Sequence, residues 1–356
     1  MASARRDGPL VPSFGIELNE KPLVADMALW IVSVTVEDDL DLPSMFTLEL
    51  ISKEDEKGFA PWTDDERLAL GAAVRISMGY GDDREPLIAG EITALEPTFT
   101  MSGAPTLTVR SYDKRHRLNV TPRTRSFQDK TDSQIAEQVC SDAHVPISAF
   151  TGGIRHSYVL QGDLTDLDFL KERARLIHFE LAMDAKGTLL FRPVAIAAPS
   201  AVTLSLQNDL LEFRPRMALV PLTEVQVLGW DAKEKQPIRA SAKAGDEASK
   251  MDGSHSAAQT AERVFGRQVE TVVRSQALSQ QEADRMAFAR LNAAALDFIR
   301  GDGRVRGRTD VRAGRVIRLE GLGTRFNGEY YVMSATHSYS RQSGYLTDFQ
   351  VRRNAS

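Results

Sequence analysis

The sequence is poor in cysteine and has no long apolar run. Cys140 is the single cysteine among 356 residues, which excludes an internal disulfide framework and is typical of a chain that folds in a reducing compartment. No window of about eighteen apolar residues occurs, so we expect no membrane-spanning helix and no membrane insertion. The first fifteen residues contain two arginines but no apolar segment behind them, which predicts no secretory signal. We therefore expect synthesis in the cytoplasm and, if the protein acts outside a cell, export as part of a particle.

The common motifs of catalysis and cofactor binding are also missing. The sequence has no P-loop, no HExxH, no CxxC and no Gly-x-Ser-x-Gly, and its 6 histidines are scattered without ligand spacing. The glycines of segments 301–307 and 321–323 have the wrong spacing for a nucleotide site and are expected in turns. Cys140 is expected to be a buried, unreactive thiol. The sequence thus predicts a protein that is not an enzyme and has no cofactor, no metal site and no catalytic residues.

One enzymatic alternative stays open. A cell-wall muramidase needs two carboxylates about 5–10 Å apart across a cleft. The 49 acidic residues include no pair that the sequence singles out, so this activity is neither indicated nor excluded.

Composition describes a globular protein without a strong charge. Hydrophobic residues make up 42% and charged residues 26%, while the formal net charge is −5. A slightly acidic balance argues against a protein that coats nucleic acid. The length predicts two to three domains.

Residues 1–110 form a first β block. Alternating apolar and polar residues predict strands over 29–36, 45–51, 73–78, 87–95 and 106–111, which favours a small barrel or sandwich. The charged segment 53–67 predicts a solvated loop, and Trp62 within it is a candidate anchor for docking to a partner.

Residues 111–199 change to a mixed pattern. Helix-capping sequences begin at Thr131 and at Thr165, each followed by an apolar stripe. Segment 181–191 predicts a hairpin that turns at 184–187. We interpret this block as a small α+β domain.

The remainder returns to strands and contains an insertion. Segments 202–206 and 223–230 alternate as strands, 231–263 is polar and predicts a surface loop or mobile insertion, and a capping box at Ser279 opens a helix to about 298. Strands then run from 305 onwards. We predict a second β block formed by 200–230 and 300–356, with 231–299 as a polar loop and helical insertion.

Segment 300–318 is rich in arginine, with seven in nineteen residues. Arg304, Arg306 and Arg308 share parity and would project from one face of a strand. A solvated face is one interpretation, and a face that meets an acidic partner or lines a channel is another. Nucleic acid is disfavoured because no interleaved aromatic residues offer base stacking.

The last thirty residues predict a closing hairpin around a turn at 341–344. His337 within it is interpreted as a structural, hydrogen-bonded histidine. The aromatic residues Phe326, Tyr330, Tyr345 and Phe349 are expected to fill the core of the second β block. The residues of this segment also resemble the C-terminal signature of the phage late control D family, the hub proteins of contractile tails and related injection systems: Phe326, Gly328, Tyr330, His337, Gly344 and Tyr345. Segments 45–50, 79–92, 112–118 and 164–170 are similar to the same family, so the resemblance covers about 15–353.

The resemblance implies a fold and a role. It implies a β-rich α+β fold, similar to the head of valine-glycine-repeat spike proteins, with two small tail-tube-like β-barrels in one chain and α+β insertions outside. Three chains would form a pseudo-sixfold ring that joins the hexameric inner tube to a trimeric spike. The implied partners are two further copies, the inner tube protein, the spike protein and other baseplate components. The spike is expected to be a separate polypeptide, and a tail-associated peptidoglycan hydrolase is the alternative function.

Overall fold

A computed structural model of the protein describes residues 11–23, 25–51, 62–231, 234–277 and 279–356. The described residues form twenty-one β-strands and five α-helices. The strands up to residue 131 are β1 (Pro12–Leu18), β2 (Lys21–Pro22), β3 (Ile31–Asp39), β4 (Met45–Ile51), β5 (Ala73–Tyr80), β6 (Asp83–Thr98), β7 (Thr106–Asp113) and β8 (Arg123–Thr131). The next strands are β9 (Ile147–Ala149), β10 (Arg155–Leu164), β11 (Phe179–Met183), β12 (Leu189–Pro193), β13 (Thr203–Ser205), β14 (Leu210–Met217), β15 (Glu224–Asp231), β16 (Gln236–Lys243) and β17 (Val269–Ala277). The last four are β18 (Ile299–Arg306), β19 (Val316–Glu320), β20 (Gly328–Ser340) and β21 (Gly344–Arg353). The helices are α1 (Ala25–Ala28), α2 (Asp132–Asp142), α3 (Asp166–Leu176), α4 (Ala257–Phe265) and α5 (Gln280–Ala295).

None of these helices has the length and apolar content needed to cross a membrane.

The main sheet has thirteen strands and joins the two predicted β blocks. Its hydrogen-bonded order is β14-β18-β21-β20-β3-β4-β7-β6-β5-β1-β2, and β13 pairs with β19, which pairs with β20. The long strand β20 makes the connection, because its first residues pair with β19 and its last residues pair with β3. The prediction of a β-rich fold is confirmed, and so are the five strands predicted between residues 29 and 111.

Each half of the main sheet encloses its own apolar core. The first core lies among β1 and β3–β7 and contains Phe46, while the second lies among β13, β14 and β18–β21 and contains Phe349. Among the described residues the hydrogen-bonded path does not return on itself, so neither half is a barrel closed by backbone hydrogen bonds. Side chains meet across the gap instead, since the ring centroids of Phe14 on β1 and Tyr339 on β20 lie 4.9 Å apart.

The closing hairpin, β20 and β21, serves both cores. The sequence predicts that Phe326, Tyr330, Tyr345 and Phe349 fill the second core, and this is wrong for Tyr345, which is buried in the first core. The reason lies in the register. Tyr345 stands at the start of β21, opposite Tyr339, where β20 has already turned to pair with β3.

The α+β block lies outside the main sheet. It consists of a two-stranded sheet, β8 and β10, a three-stranded sheet, β11-β12-β9, and the helices α2 and α3. Thr131 caps α2 in a complete capping box with Gln134, and Thr165 caps α3 by accepting a hydrogen bond from the Asp168 amide. The predicted helix starts and the hairpin at 181–191 are therefore confirmed.

Two predictions for residues 223–263 are wrong. The strand predicted at 223–230 was assigned to the second β block, but β15 pairs with β16 and β17 in a separate sheet against which α5 packs. The polar loop predicted over 231–263 contains β16 and α4. The buried residues of β16 are Ile238, Ala240 and Ala242. Small alanines give a strand little apolar bulk, so its alternation is hard to distinguish from a polar loop.

The glycines near residue 300 lie in a strand and not in turns. Gly301 and Gly303 belong to β18, on its buried face. Aromatic rings cover them: a Cβ on Gly303 would lie 2.2 Å from Cζ of Phe349, and one on Gly301 would lie 2.5 Å from Cζ of Phe213. Glycine is required here because the rings occupy the space of its missing side chain.

Candidate interaction surface

The outward face of the main sheet is mainly polar. Successive side chains of a strand point to opposite faces, so the residues that alternate with the buried cores share this face. In the middle of the sheet they are mostly hydroxyl-bearing: Ser33, Thr35, Thr47, Ser334, Thr336, Ser338 and Ser340. Thr336 lies between Asp348 on β21 and Glu37 on β3. We refer to this surface as the polar face.

The arginines of β18 extend the polar face toward the edge strand β14. Arg300, Asp302, Arg304 and Arg306 are exposed and alternate with buried residues, as the parity of the sequence predicts. Nε and Nη2 of Arg304 donate to the two carboxylate oxygens of Asp348, at 2.6 and 3.2 Å. Arg306 has no carboxylate partner among the residues that the structure describes.

Arg308 does not share the face of Arg304 and Arg306. It lies beyond the end of β18, and its backbone N–H donates to the Thr347 hydroxyl at 3.0 Å. Its guanidinium lies 2.7 Å from a carboxylate oxygen of Asp310 and 3.7 Å from one of Asp209. The side chain is therefore held by two acidic residues of its own chain.

Trp62, the predicted docking anchor, is partly buried. Its side chain packs against the first core, and the indole N–H has no hydrogen-bond partner in the described part of the chain. Residues 53–61 of the predicted solvated loop lie outside the described residues.

Arg312 belongs to the same arginine-rich segment but is buried between the two halves of the sheet. Its Nε donates to Asp38 at 2.7 Å, and its Nη2 donates to the Leu87 carbonyl at 2.6 Å. Asp38 lies on β3, so this ion pair ties the segment before β19 to the first half. The sequence does not predict its structural role, because a buried arginine has the same local signature as an exposed one.

Arg115 forms a second buried polar joint. It is 1% exposed and donates from Nε and Nη2 to Asp113 at 3.0 and 2.8 Å. The same guanidinium donates to backbone carbonyls of Asp39 and Leu181, which links the first half of the sheet to the α+β block. We call the two ion pairs, Arg312–Asp38 and Arg115–Asp113, the buried joints.

His337 lies inside the closing hairpin, beside two hydroxyl groups of β21. It is fully buried, and its Nδ1 lies 2.9 Å from the Tyr345 hydroxyl and 3.2 Å from the Thr347 hydroxyl. Burial and the nearby positive charge of Arg312 lower its pKa to about 3, so the imidazole is neutral at physiological pH. It therefore does not act as a proton donor there.

The other signature residues shape the closing hairpin. The Tyr330 hydroxyl donates to the Phe326 carbonyl at 2.8 Å. Gly328 has φ of 135°, and a Cβ on it would lie 2.5 Å from the Arg353 guanidinium. Gly344 has φ of 69° at the predicted turn, a conformation that favours glycine. These residues hold the hairpin in place.

Two buried groups have perturbed pKa values but no catalytic geometry. Burial and Asp166 raise the pKa of Cys140 to about 12, so the thiol is unreactive, as predicted. Burial raises the pKa of Glu180, yet Arg192 donates to one of its oxygens at 2.9 Å and Tyr331 donates to the other. Glu180 thus joins β11 to β20 and has no free oxygen for a substrate.

A charged cluster joins the α+β block to α5. His156 on β10 contacts Glu282 on α5 through Nδ1 at 2.5 Å and Asp132 on α2 through Nε2 at 2.9 Å, while Arg173 on α3 donates to Asp132 at 2.6 Å. Burial by itself lowers the pKa of His156, but the hydrogen bonds to Asp132 and Glu282 outweigh it and raise the pKa to about 9. His156 is therefore charged at neutral pH and binds both carboxylates.

The architecture of an open sheet around two cores is that of phage tail proteins. A tail protein of prophage MuSo2 from Shewanella oneidensis matches with a TM-score of 0.69 at 15% identity, over 96% of this chain and 98% of that one. A tail protein of Neisseria meningitidis matches with a TM-score of 0.66 at 12% identity, over 96% and 97%. The E. coli c3393 protein, a component of the type VI secretion system, matches with a TM-score of 0.59 at 13% identity, over 92% and 74%.

The sequence itself matches the family described as the Alg8 N-terminal domain over residues 11–341, and the chain belongs to that family. Comparison with curated proteins gave no match. The expected likeness to tail proteins is therefore confirmed at the level of the fold, whereas the family whose model matches is the Alg8 N-terminal domain.

Proposed function

We propose that the protein is a structural, non-enzymatic hub of a contractile phage tail or contractile injection system. Three copies would form a ring that joins the hexameric inner tube to a trimeric spike. The observation that carries this proposal is the division of one sheet into two halves, each around its own core and sharing β20 and β21. Three such chains would present six half-sheets, which suits contact with six subunits on one side and three on the other.

The tail-protein fold supports the proposal, since the structures that share it include two tail proteins and a component of a secretion system. Closed rings need contacts between two different surfaces of the same chain. The polar face and the outer edge of β14 are surfaces on which such contacts can be built.

We propose a domain division that differs from the predicted one only at β15, which pairs outside the main sheet. Residues 1–110 form the first tube-like unit, 111–199 the α+β domain, and 200–217 with 300–356 the second tube-like unit; 218–299 are the insertion. For contact with partners we propose Arg304 and Arg306, which are exposed on the polar face, with Trp62 and Arg308 as more enclosed neighbours. The partners are further copies of the chain, the tube and spike proteins and other baseplate components, in a particle assembled in the cytoplasm.

The mass of the assembly tests this proposal. Sedimentation and native mass spectrometry are expected to show a trimer, alone or after addition of the tube and spike proteins of the same particle. Electron microscopy is expected to show the trimer capping the end of a tube. A chain that remained monomeric with both partners present would contradict the hub function.

Peptidoglycan zymography tests the non-enzymatic part separately. We expect no cleared band, because Glu180, the buried carboxylate of raised pKa beside a cleft, has both oxygens bound within the protein. A cleared band that disappeared in Glu180→Gln would instead establish the tail-associated hydrolase.

A further inference from the structure

An apolar cleft lies between the α+β block and the second half of the main sheet. Its volume is about 350 Å³, at the lower end of the range for ligand sites. One wall is formed by the alanine-rich stripe of α5 and by Leu296, which follows that helix. The opposite wall is formed by β11 and by Leu40, which follows β3. The apolar residues that define these walls are Leu40, Phe179, Leu181, Ala289, Ala293 and Leu296. A space of this size takes one or two side chains and is too small for a helix.

Positive charge is concentrated beside this cleft. Lys171, Arg175 and Arg352 line it. Arg352 on β21 stands directly opposite Arg300 on β18, and Arg300 stands opposite Arg216 on the edge strand β14. Three arginines thus lie side by side in one row of the sheet. Like charges in directly opposed positions destabilise a sheet, so this row is not explained by folding.

Few carboxylates contact the cations of the row and the cleft, although Asp302 lies on the same face of β18, two residues from Arg300. Asp297 contacts Arg300 at 2.7 Å and Arg352 at 3.0 Å, and Asp41 contacts Arg175 at 3.2 Å. Arg216 and Lys171 have no acidic partner within the part of the chain that the structure describes. Glu180 also lines the cleft, but Arg192 holds it. Five cations therefore share two carboxylates.

We propose that this cleft and arginine row form a docking site for a peptide segment of another protein that carries carboxylates beside one large apolar side chain. The apolar side chain enters the cleft against α5, and the carboxylates bind Arg216, Arg300 and Arg352. Guanidinium groups suit this task, because they form paired hydrogen bonds with carboxylates. The site is distinct from the surface around Arg304 and Arg306, and it does not depend on the trimer.

The apolar cleft distinguishes a peptide from a nucleic acid. Phosphates would bind the arginines, but Tyr331, the tyrosine that lines the cleft, is 1% exposed and offers no face on which a base can stack. A nucleic acid also has no apolar side chain to place between the walls of the cleft. An acidic peptide with an apolar anchor matches both features.

Fluorescence anisotropy with three labelled probes tests the proposal. The first is a nine-residue peptide of eight glutamates around a central leucine, the second replaces that leucine with serine, and the third is a nine-nucleotide single-stranded DNA. We expect the leucine peptide to bind at least tenfold more tightly than either other probe. Equal binding of the two peptides would overturn the role of the cleft. Tighter binding of the DNA probe than of the leucine peptide would show that the site binds a nucleic acid and would overturn the proposal. Absence of binding by the leucine peptide would also overturn the proposal.

Three variants locate the site. Ala293→Trp fills the cleft. We expect it to lower the affinity for the leucine peptide at least tenfold and to leave the affinity for the serine peptide unchanged. The double variant Arg216→Ala with Arg300→Ala is expected to lower the affinity for both peptides. Arg75→Ala is the control, because it removes an exposed arginine on β5, toward the other end of the main sheet, and should change the binding of neither peptide. An equal loss of affinity in the control and in the double variant would overturn the assignment of the site to the arginine row. Urea unfolding of each variant checks that it is folded.

Discussion

Arg304 and Arg312 come from the same arginine-rich segment and each binds an aspartate, yet they lie in opposite surroundings. The side chain of Arg304 is 50% exposed on the polar face, whereas that of Arg312 is 8% exposed in a buried joint between the two halves of the sheet. Water screens the first pair and can replace either partner. In the second pair, loss of one partner leaves a charge without solvent. Burial therefore divides one charged segment into an exposed surface and a buried structural joint.

Asp38→Ala should have the largest effect on this comparison. The substitution leaves the Arg312 guanidinium buried and without its carboxylate, which we expect to lower the free energy of unfolding by about 3–5 kcal/mol. Urea denaturation followed by circular dichroism measures the change. The double variant Asp38→Leu with Arg312→Met should lose less free energy of unfolding than the single variant, since it buries no charge. A single variant as stable as the wild type would contradict the role of the joint.

The pH dependence of stability tests a third environment, the cluster around His156. A histidine whose pKa rises from 6.5 to about 9 on folding contributes stability that is complete below pH 6.5 and lost as the pH rises through about 9. We expect a loss of about 2–3 kcal/mol between pH 6.5 and 10 relative to His156→Asn. At low pH the sign reverses: the cluster holds the pKa values of Asp132 and Glu282 below their ordinary range, so their contribution is lost as the pH falls.

His144→Asn is the control for this titration. His144 is exposed and has φ of 55°, which asparagine tolerates, so its substitution should leave the pH profile of the wild type unchanged. Identical profiles of the His156→Asn variant and the wild type would show that the cluster contributes nothing.

Gly303→Ala tests the position next to Arg304 on the same strand, β18. Arg304 points to the polar face, but a Cβ on Gly303 would overlap the Phe349 ring. We expect a loss of about 2 kcal/mol in the free energy of unfolding, in line with overpacked cores. Gly162→Ala is the matched control on β10, because its Cβ would meet nothing closer than 3.7 Å. Equal stability of the two variants in urea would contradict the packing argument.

Arg304→Ala should have the smallest effect on stability. Its ion pair with Asp348 is exposed, so we expect a loss of less than about 1 kcal/mol, which decreases further at high salt. Urea denaturation at two salt concentrations measures it. A loss above about 2 kcal/mol would show that the polar face has a structural role like that of the buried joints.

Local features of the fold could be predicted from the sequence. Thr131 and Ser279 begin their helices with complete capping boxes, because the bonds involved span only three residues. The alternation of Arg304 and Arg306 on β18 follows from strand geometry alone. The sequence does not predict strand β16, because its buried side chains include two alanines, and it does not distinguish strand β1 from its surroundings.

Long-range contacts could not be predicted in this way. The pairing of β20 with β3 joins residues about 300 positions apart, and no local pattern encodes it. The same is true of Arg312 and Asp38, which are 274 residues apart. The row formed by Arg216, Arg300 and Arg352 appears only once three distant strands are aligned in register.

The closing hairpin also sets the order in which the chain can fold. Tyr345 completes the first core and Phe349 completes the second, so both cores await β21 although most of their strands are synthesised much earlier. On the ribosome, β3–β7 emerge long before their last neighbour, with apolar surface and a strand edge uncovered. Such distant pairing makes folding slow. We expect such a chain to gain its final stability late, and interrupted synthesis to leave two incomplete cores that are prone to aggregate.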